Sequence, residues 1–581
     1  MKPMDAEKEN STWLDRPLLS YIPKLNIETL LIILILVVTV FTRFYILGDR
    51  VMSHDEVNHV VPSYDLFQGL GYRHDPVTHG PLQFHLIALT YFLFGDNDFT
   101  SRVPAALFSV ATVMAALFCF RRYLGRIGSL VAGLLFMISP YMLFYGRYTR
   151  NEALIGLFGV LMLYAMLRYL HLGQNRDLYL LTAVLVLHYT SKETAFIYTA
   201  QALLFLAFLF LEQVTRREWV KPEKVRPFIL SVLIAFLLLA VALGLAGLGR
   251  GTETVASPDA TAATAAAQTA AAAGSLMLAE TGLVVVAILA LVVAIYLLIQ
   301  GMTWKEIRRE RSFDLLVLIG TLVLPQLVAF PVKILGFDPL DYSTQGIIRT
   351  ATVLVPLVLI AIAIGVWWNR RVWFISAAIF YGIFTVFYTT FFTNGQGFMT
   401  GLVGALGYWL SQQGVQRGSQ PWYYFALIQI PIYEFLPAIG TLFAGWLGLR
   451  SLLRRDPLWH AAGTLVTQEE VQADMLEPDK QFAEAAGDEV ITVVEEVEPV
   501  EVVERPAPTL ALLLFWSFTS LVAYSVAGEK MPWLTVHITM GMILAAGWSF
   551  GYLIETTDWK EAWNKKGPIV LLLIPVFLAS V

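Results

Sequence analysis

Two adjacent carboxylates, Asp55 and Glu56, follow His54 shortly after the first long apolar run of the chain. Five of the nine histidines lie between His54 and His85. Ionisable residues at a membrane edge are costly to keep, so a functional role is the first hypothesis for them. Neighbouring residues of a regular helix or strand do not point into one pocket. We therefore expect one of the two to act as a general base and the other to support it, with an exposed acidic loop pair as the alternative.

Separated cations follow in segments that are predicted to lie near the same membrane surface. Arg147 and Arg150 are three residues apart, which puts them on one face of a helix. Two guanidiniums can grip a phosphate group bidentately, whereas snorkelling to lipid headgroups is the alternative. The candidate phosphate-binding residues are Arg147, Arg150, Lys192 and Lys530, and the other pocket candidates are His54, His79, Glu152, Arg417 and His537. Such groups suit a lipid-linked phosphate as a leaving group, with a carboxylate that takes the proton of the acceptor.

A metal site is a further possibility in the first loop. His74, Asp75 and His79 are of ligand types, but their spacing matches no closed zinc site. Polar capping of the helix that follows is the alternative interpretation, and the sequence leaves the metal unknown.

The composition is that of a membrane protein. Of the 581 residues 57% are hydrophobic and 15% are charged, whereas soluble domains carry about 25% charged residues. The single cysteine, Cys119, excludes an intramolecular disulfide. A net charge of −5 gives no reason to expect nucleic acid as a partner. We expect an all-α, polytopic integral membrane protein whose first apolar run is an uncleaved anchor.

Apolar runs predict 14 to 15 transmembrane helices. Fourteen stretches centre near residues 38, 111, 137, 161, 184, 204, 238, 288, 324, 357, 383, 436, 518 and 544, and a fifteenth begins near Ile569. The stretch Pro81–Phe94 has only fourteen residues, whereas a helix needs roughly 20 to cross. We predict that it lies in the interface as an amphipathic helix.

The placement of Pro81–Phe94 in the interface agrees with the distribution of basic residues along the chain. If Pro81–Phe94 does not cross the membrane, 28 of the 40 Lys and Arg residues fall on the cytoplasmic side and 12 on the other. The positive-inside rule favours that orientation. The long first outer loop, residues 48–99, then lies outside with most of the histidines, so the reaction is predicted on the extracytoplasmic face.

The chain divides by composition into four segments. We predict a cytoplasmic N-terminal segment (1–27), a transmembrane domain (28–455), an acidic disordered cytoplasmic linker (456–508) and C-terminal transmembrane helices (509–581). The linker contains thirteen acidic residues between Gln468 and Pro508. The Ala/Thr-rich stretch Thr252–Ser275 is predicted to be a flexible outer loop.

Several motifs together resemble the GT-C class of membrane glycosyltransferases, in particular the protein O-mannosyltransferases and the lipid A aminoarabinose transferases. The motifs are Ser53-His-Asp-Glu-Val-Asn58, Thr78-His-Gly-Pro-Leu82, Ser139-Pro140 with Arg147 and Arg150, Tyr189-Thr-Ser-Lys192 and, more loosely, Glu529-Lys-Met-Pro-Trp533. Gly80 stands where these relatives carry proline, and Glu152 where aspartate is more usual. The combination is most similar to a poorly characterised prokaryotic branch of the class, some of whose members are labelled flippase-associated.

The resemblance implies a glycosyltransferase of the cell membrane that uses a polyprenyl-phosphate sugar donor and inverts the anomeric carbon. It implies Asp55 as general base or metal-associated carboxylate. Members of the class differ in their need for a divalent metal ion, so a metal cofactor stays open. The acceptor could be a lipid, a polysaccharide or a protein.

Two other functions compete with this one. A transporter or flippase of lipid-linked sugars usually has repeated halves and broken helices, and this sequence has no evident repeat. A non-enzymatic scaffold for envelope assembly is the third hypothesis, and it would release no polyprenyl phosphate.

Overall fold

The computed structural model describes Leu14 and residues 17–19, 22–249, 262–412, 420–454 and 505–566. A short antiparallel strand pair, β1 (Pro17–Leu19) and β2 (Ile22–Asn26), precedes the helices. The helices before residue 250 are α1 (Ile27–Phe44), α2 (His54–Phe67), α3 (Leu82–Phe94), α4 (Asp98–Phe118), α5 (Arg121–Ile138), α6 (Pro140–Tyr145), α7 (Glu152–Leu172), α8 (Asn175–Tyr189), α9 (Thr194–Arg216) and α10 (Val225–Gly249). Short 3-10 turns occupy Pro76–Thr78 and Pro222–Lys224.

The remaining described residues are also largely helical. These helices are α11 (Ala262–Gly301), α12 (Trp304–Ile307), α13 (Arg311–Val323), α14 (Ala329–Ile334), α15 (Thr344–Tyr388), α16 (Gln396–Met399), α17 (Ala405–Gln412), α18 (Ile430–Tyr433), α19 (Phe435–Arg454), α20 (Thr509–Val526), α21 (Thr535–Thr556) and α22 (Trp559–Asn564). Two π-helical segments, Thr400–Gly404 and Tyr424–Gln429, precede α17 and α18, and 3-10 turns occupy Leu324–Leu327 and Pro532–Leu534.

The prediction of an all-α, multi-pass membrane protein is confirmed. Within the described ranges, ten helices are long and apolar enough to cross a membrane. The predicted number, 14 to 15, is higher, because several predicted centres fall in shorter helices, such as α8 with 15 residues, that are not among these ten. Two further centres share α15, which the extended backbone of Asn369 interrupts. The stretch that begins at Ile569 lies outside the described residues.

Helix α21 forms the centre of the bundle and is buried along most of its length. It packs closely against α5 through small residues. A Cβ atom at Gly551 would lie 2.5 Å from the Cα atom of Gly128, and one at Gly547 would lie 2.7 Å from the Cβ atom of Ala132. Small residues that let two backbones approach are typical of helix contacts inside a membrane, where van der Waals packing drives association.

Helix α3 is the short helix that the sequence predicts at Pro81–Phe94, and its 13 residues are too few to span. The prediction that it is amphipathic is wrong. Leu82, Phe84 and Ile87 are buried, but the exposed side carries Leu89, Phe92, Leu93 and Phe94 and is equally apolar. A short helix that is apolar all round gains more from burial in protein and lipid than from facing water.

The chain forms two compact units, Leu204–Val317 and the remainder. The smaller unit has its own apolar core, which includes Trp219, Phe228 and Leu298. The predicted flexible loop at Thr252–Ser275 is wrong from residue 262 onward, where α11 begins, because alanine has the highest intrinsic helix propensity. Residues 456–504 of the predicted acidic linker lie outside the described residues.

Candidate active site

The site is built around the first turn of α2. Ser53 caps this helix: its Oγ atom accepts from the amide of Glu56 at 3.4 Å, and its own amide donates to Oε2 of Glu56 at 3.1 Å. This reciprocal capping box fixes where the helix begins. Consequently Asp55 and Glu56 leave the first turn in different directions.

Glu56 points into the protein and is fully buried. Its carboxylate accepts from Arg102 Nε at 2.9 Å, from Arg50 Nη2 at 2.9 Å and from the amide of Thr149 at 3.1 Å. Burial raises the pKa of Glu56, but the hydrogen bonds from Arg102 and from the backbone outweigh burial and hold the pKa below its ordinary value. We call Glu56 with Arg50, Ser53, Arg102 and Thr149 the Glu56 anchor. It ties α2 to α4 and to the segment before α7.

Asp55 points the other way, with 40% of its side chain exposed. Arg150 Nη1 donates to Asp55 Oδ2 at 2.6 Å, and the same guanidinium lies over the ring of Trp533 at 3.8 Å. Arg150 Nε is 3.3 Å from Glu152 Oε2, and Lys192 Nζ donates to Glu152 Oε1 at 2.5 Å. A line of alternating charges therefore runs from Asp55 into the interior, where Glu152 is fully buried.

Asp55 and Arg150 line a cavity of about 440 Å³, which we call the Asp55 cavity. Its walls come from α2, the turn at residues 76–79, α17 and the segment at residues 529–533. The lining includes the carboxylates of Glu193 and Glu529 and the aromatic rings of Tyr408, Trp409 and Trp533. The volume lies in the range of small-molecule sites, in which apolar and aromatic walls surround a few polar groups.

The motif Thr78-His-Gly-Pro-Leu82 is held against the loop between α8 and α9. The amide of Gly80 donates to the carbonyl of Ser191 at 3.0 Å, and the amide of Leu82 to that of Thr190 at 2.9 Å. A Cβ atom at Gly80 would lie 2.2 Å from the Thr190 carbonyl oxygen, so only glycine fits. This contact explains why the proline of the related motifs is absent here. It brings His79 to Glu193, with Nδ1 2.7 Å from Oε2.

Arg147 does not reach the Asp55 cavity, although the sequence predicts that it binds phosphate. Its guanidinium donates to the carbonyl of Thr42 and, at 2.7 Å, to that of Tyr45. These carbonyls belong to the C-terminal end of α1, where cations are stabilised by the helix dipole. Arg147 therefore fastens α1 to the segment before α7.

Two predicted phosphate-binding lysines also lie outside the cavity lining. Lys192 is 5% exposed and is paired with Glu152. Lys530 donates to the carbonyl of Ala527 at 2.9 Å, and burial lowers its pKa.

The remaining pocket candidates are placed as follows. His79 lines the cavity, and Glu152 lies behind Arg150. His54 is exposed at the start of α2. His537 is buried in α21, with Nδ1 3.0 Å from the hydroxyl of Tyr198. Arg417 lies outside the described residues.

Sequence reasoning missed several lining residues. His59 is one helical turn after Asp55, so the histidine cluster itself contained the signal. It is 5% exposed, and burial lowers its pKa to about 3. Glu193 adjoins the Lys192 motif. Glu529 belongs to the Glu529-Lys-Met-Pro-Trp533 motif. No sequence pattern connects Trp409 with Asp55, because only the tertiary fold brings them together.

The described part of the chain contains no group of three or more His, Cys, Asp or Glu residues arranged to hold a metal ion. Asp55 has a guanidinium as its partner instead. Among the described residues, Asp55 is thus paired with a cation and is not part of a preformed set of metal ligands.

Residues 78–244 match the family model described as "Dolichyl-phosphate-mannose-protein mannosyltransferase". The matched region contains His79, Arg150, Glu152 and Lys192, and it begins after Asp55. The match covers less than a third of the chain, and over that region it supports the resemblance to GT-C membrane glycosyltransferases. A comparison with curated protein sequences finds no match.

Solved structures of the same class are similar to this chain, with low scores. An apo oligosaccharyltransferase from Archaeoglobus fulgidus is 12% identical with a TM-score of 0.45, over 93% of this chain and 52% of that one. The oligosaccharyltransferase AglB from the same organism, in complex with an inhibitory peptide and a dolichol-phosphate, is 10% identical with a TM-score of 0.41, over 94% of this chain and 52% of that one. Apo ArnT from Cupriavidus metallidurans is 13% identical with a TM-score of 0.34, over 92% of this chain and 61% of that one. The chain thus spans between half and two thirds of the length of these proteins, and likeness of this size carries no argument about function.

Proposed function

We propose that this protein transfers a sugar from a polyprenyl-phosphate donor to a hydroxyl group of an acceptor, with inversion, on the extracytoplasmic side of the membrane. The observation that carries the proposal is the 2.6 Å contact between Asp55 and Arg150 at the wall of the Asp55 cavity. The description of the matched family, which names a dolichyl-phosphate sugar, supports the donor class.

Asp55 is the base in this mechanism. Arg150 occupies Oδ2, and Oδ1 has no hydrogen-bond partner among the described residues. Oδ1 is therefore able to accept the proton of the acceptor hydroxyl while the acceptor oxygen forms its bond to the anomeric carbon. The bond from that carbon to the phosphate oxygen breaks on the opposite face, and its electron pair stays on the phosphate. A positioned general base of this kind contributes about 100- to 10,000-fold in rate.

Arg150 orients the carboxylate of Asp55. It is held from three sides, by Asp55, by Glu152 and by the face of Trp533. A guanidinium with fixed neighbours needs no rearrangement as charge develops in the transition state, which is the origin of electrostatic preorganisation. Its remaining N–H groups are the nearest cationic donors for a phosphate oxygen in the cavity.

The aromatic wall supports a carbohydrate substrate. Tyr408, Trp409 and Trp533 give the cavity broad apolar faces beside its carboxylates. The apolar C–H face of a pyranose can pack on such rings, while carboxylates accept from its hydroxyl groups. The basic residues support access from the extracytoplasmic side, since the positive-inside rule assigns the loops that line the cavity to the side with 12 of the 40 Lys and Arg residues.

The experiment uses purified protein in sealed vesicles that contain a radiolabelled polyprenyl-phosphate hexose. Chain orientation is determined by protease protection of an N-terminal tag. Membrane extract supplies the acceptors. The proposal predicts release of free polyprenyl phosphate only when donor and acceptor are on the side opposite the tag. Movement of the intact donor across the bilayer without release of polyprenyl phosphate would instead identify a flippase.

A further inference from the structure

The pair formed by His79 and Glu193 has no role in the mechanism above. Both residues line the Asp55 cavity, and Nδ1 of His79 lies 2.7 Å from Oε2 of Glu193. Glu193 is only 7% exposed. Burial raises the pKa of Glu193, but the charge and the hydrogen bond of His79 outweigh burial and hold it below its ordinary value. The Glu193 carboxylate thus accepts a hydrogen bond from the Nδ1–H group and fixes the ring orientation.

The other ring nitrogen is available to a ligand. Nε2 of His79 has no hydrogen-bond partner among the described residues, and 29% of the side chain remains exposed. With Nδ1 committed to Glu193, Nε2 is an acceptor when the imidazole is neutral and a donor when it is protonated.

The backbone of His79 is strained. Its φ of 71° and ψ of −168° fall in a region that is almost restricted to glycine. The hydrogen bonds of Gly80 and Leu82 to the loop at residues 190–191 hold the chain in this conformation. Strain that the surrounding structure maintains is concentrated at functional sites. Here it aims the imidazole at the buried carboxylate and its free nitrogen into the cavity.

The charges around the cavity explain why a proton is needed there. Asp55, Glu193 and Glu529 are the carboxylates in the lining, and Arg150 is the one arginine or lysine among the described lining residues. The guanidinium already neutralises Asp55 and contacts Glu152. A phosphate that left as a dianion would meet more negative than positive charge. A donor that gives the phosphate a proton as it leaves removes this repulsion.

We propose that His79, oriented by Glu193, is the acid that protonates the leaving polyprenyl phosphate. This inference rests on the proposed function and assigns it a second proton-handling group. The bond between the anomeric carbon and the phosphate oxygen breaks, and its electron pair goes to that oxygen. The Nε2 proton of the His79 imidazolium moves to the phosphate, which leaves as a monoanion, while Asp55 receives the proton of the acceptor hydroxyl. Water returns one proton from Asp55 to His79, so the cycle closes with no net change in the enzyme.

Several titratable or charged groups face His79 from the surrounding elements. On the cavity side and on α2 they are Asp55, His59, Arg150 and Glu529, and on its own segment and behind Glu193 they are His74, Asp75 and Lys192. His59 stacks on His79 with ring centroids 6.4 Å apart. Burial lowers the pKa of His59 to about 3 and that of His74 to about 4, so both of these imidazoles stay neutral near pH 7.

The test measures binding of geranylgeranyl monophosphate, a polyprenyl phosphate, to the full-length protein between pH 5.5 and 8.5, with geranylgeraniol as the ligand that lacks phosphate. The variant is His79→Asn, because asparagine, like histidine, is among the non-glycine residues that adopt a positive φ most often. His85→Asn is the matched control, since it removes an imidazole from α3 that is outside the cavity lining. The phosphate group titrates in the same range, with a second pKa of about 6, and its contribution is common to all variants.

We expect the affinity of the wild type and of His85→Asn to fall with rising pH, by up to about tenfold per pH unit, relative to that of His79→Asn. At pH 6 His79→Asn should bind roughly tenfold more weakly than the wild type. Glu193→Gln is the test of positioning. It should move the fall in affinity to lower pH, because the imidazolium loses its anionic partner, and Glu193→Asp should restore part of the shift. Binding of geranylgeraniol should not depend on these variants.

NMR of histidine-labelled protein provides a readout independent of affinity. One imidazole resonance, absent in His79→Asn, should follow the same pH dependence as the affinity, and in Glu193→Gln both should move to lower pH. Equal pH dependence of affinity in the wild type and His79→Asn would overturn this inference and leave the proposed donor intact. Absence of geranylgeranyl monophosphate binding at every pH would overturn both.

Discussion

Asp55 and Glu56 are neighbours in the chain, yet the regions they serve have opposite character. In the Glu56 anchor the carboxylate is fully buried, and its hydrogen-bonding capacity is filled by two arginines and two backbone amides. The Asp55 cavity is open, and its carboxylate has one arginine partner and 40% exposure. A capping box separates the two directions at the first turn of α2.

The difference separates stability from chemistry. A buried carboxylate with every lone pair occupied cannot accept another proton donor without losing a partner, so the Glu56 anchor is suited to hold α2 in place. A carboxylate with one free oxygen in a cavity can react. Mutations in the two regions should therefore fail in different ways, although the residues are adjacent.

The largest effect is expected for Asp55→Asn. Loss of the base should reduce sugar transfer by about 100- to 10,000-fold, whereas the melting temperature should change little. Release of polyprenyl phosphate measures the first quantity and thermal unfolding in detergent the second. Undiminished transfer by the folded variant would remove Asp55 from the mechanism.

The opposite pattern is expected for Glu56→Ala. Removing one partner of a buried ion pair leaves Arg102 without compensation, which costs roughly 3–5 kcal/mol of stability. The amount of folded protein should fall, while the rate per folded molecule should change far less than in Asp55→Asn. A variant of normal stability with abolished transfer would move Glu56 from the anchor into the reaction.

A smaller stability effect is expected at Gly80. In Gly80→Ala the new methyl group would collide with the carbonyl of Thr190, and such overpacking costs about 1–3 kcal/mol. The matched control is Gly95→Ala, where a Cβ atom meets nothing within 4 Å and only the positive φ of 83° opposes the change. Because the clash also displaces His79, transfer should fall in Gly80→Ala but not in Gly95→Ala.

The Glu56 anchor should also respond to acid. Since the folded-state pKa of Glu56 is lowered, its stabilising contribution is present above the unfolded pKa of about 4.3. That contribution is lost as the pH falls through the folded pKa. The gap in melting temperature between the wild type and Glu56→Gln should therefore be constant from neutral pH to about 5 and narrow below about 4. A gap that widens in acid would contradict this account.

The smallest effect on transfer is expected for Arg147→Gln. This residue fastens α1 and does not line the cavity, so transfer should change by no more than about twofold. Arg150→Gln is the comparison and should weaken transfer far more, because it releases Asp55. Equal losses of sugar transfer in the two variants would contradict this account and support Arg147 as a phosphate-binding residue, as its spacing from Arg150 suggested.

The sequence was most informative where the signal is local. Hydropathy located the helices, and the Ser53-to-Glu56 spacing contains the capping box that the structure forms. Hydropathy could not reveal that Asn369 divides one long helix, or that the alanine-rich stretch from residue 262 is helical. The sequence shows that Arg147 is a cation, but it does not show its partners. These are carbonyls at the end of α1, and they are determined by packing between elements about a hundred residues apart.

The cavity itself was only partly predictable. Asp55, Arg150 and His79 carry motifs that were recognisable by type and spacing. Glu529, Trp533 and Trp409 join them from segments hundreds of residues away, and no periodicity encodes that meeting. Of the cations expected near Asp55, Arg150 contacts it directly, and Lys192 is linked to Arg150 through Glu152, whereas Arg147 and Lys530 donate to backbone carbonyls.

The most direct test of the Asp55 cavity as the donor site is an electron cryomicroscopy map of the Asp55→Asn protein with a polyprenyl-phosphate sugar. The account predicts phosphate density inside the cavity, within hydrogen-bond distance of Arg150 or His79, and the anomeric carbon facing residue 55. Phosphate density at Arg147 or Lys530, with the cavity empty of the donor, would contradict it.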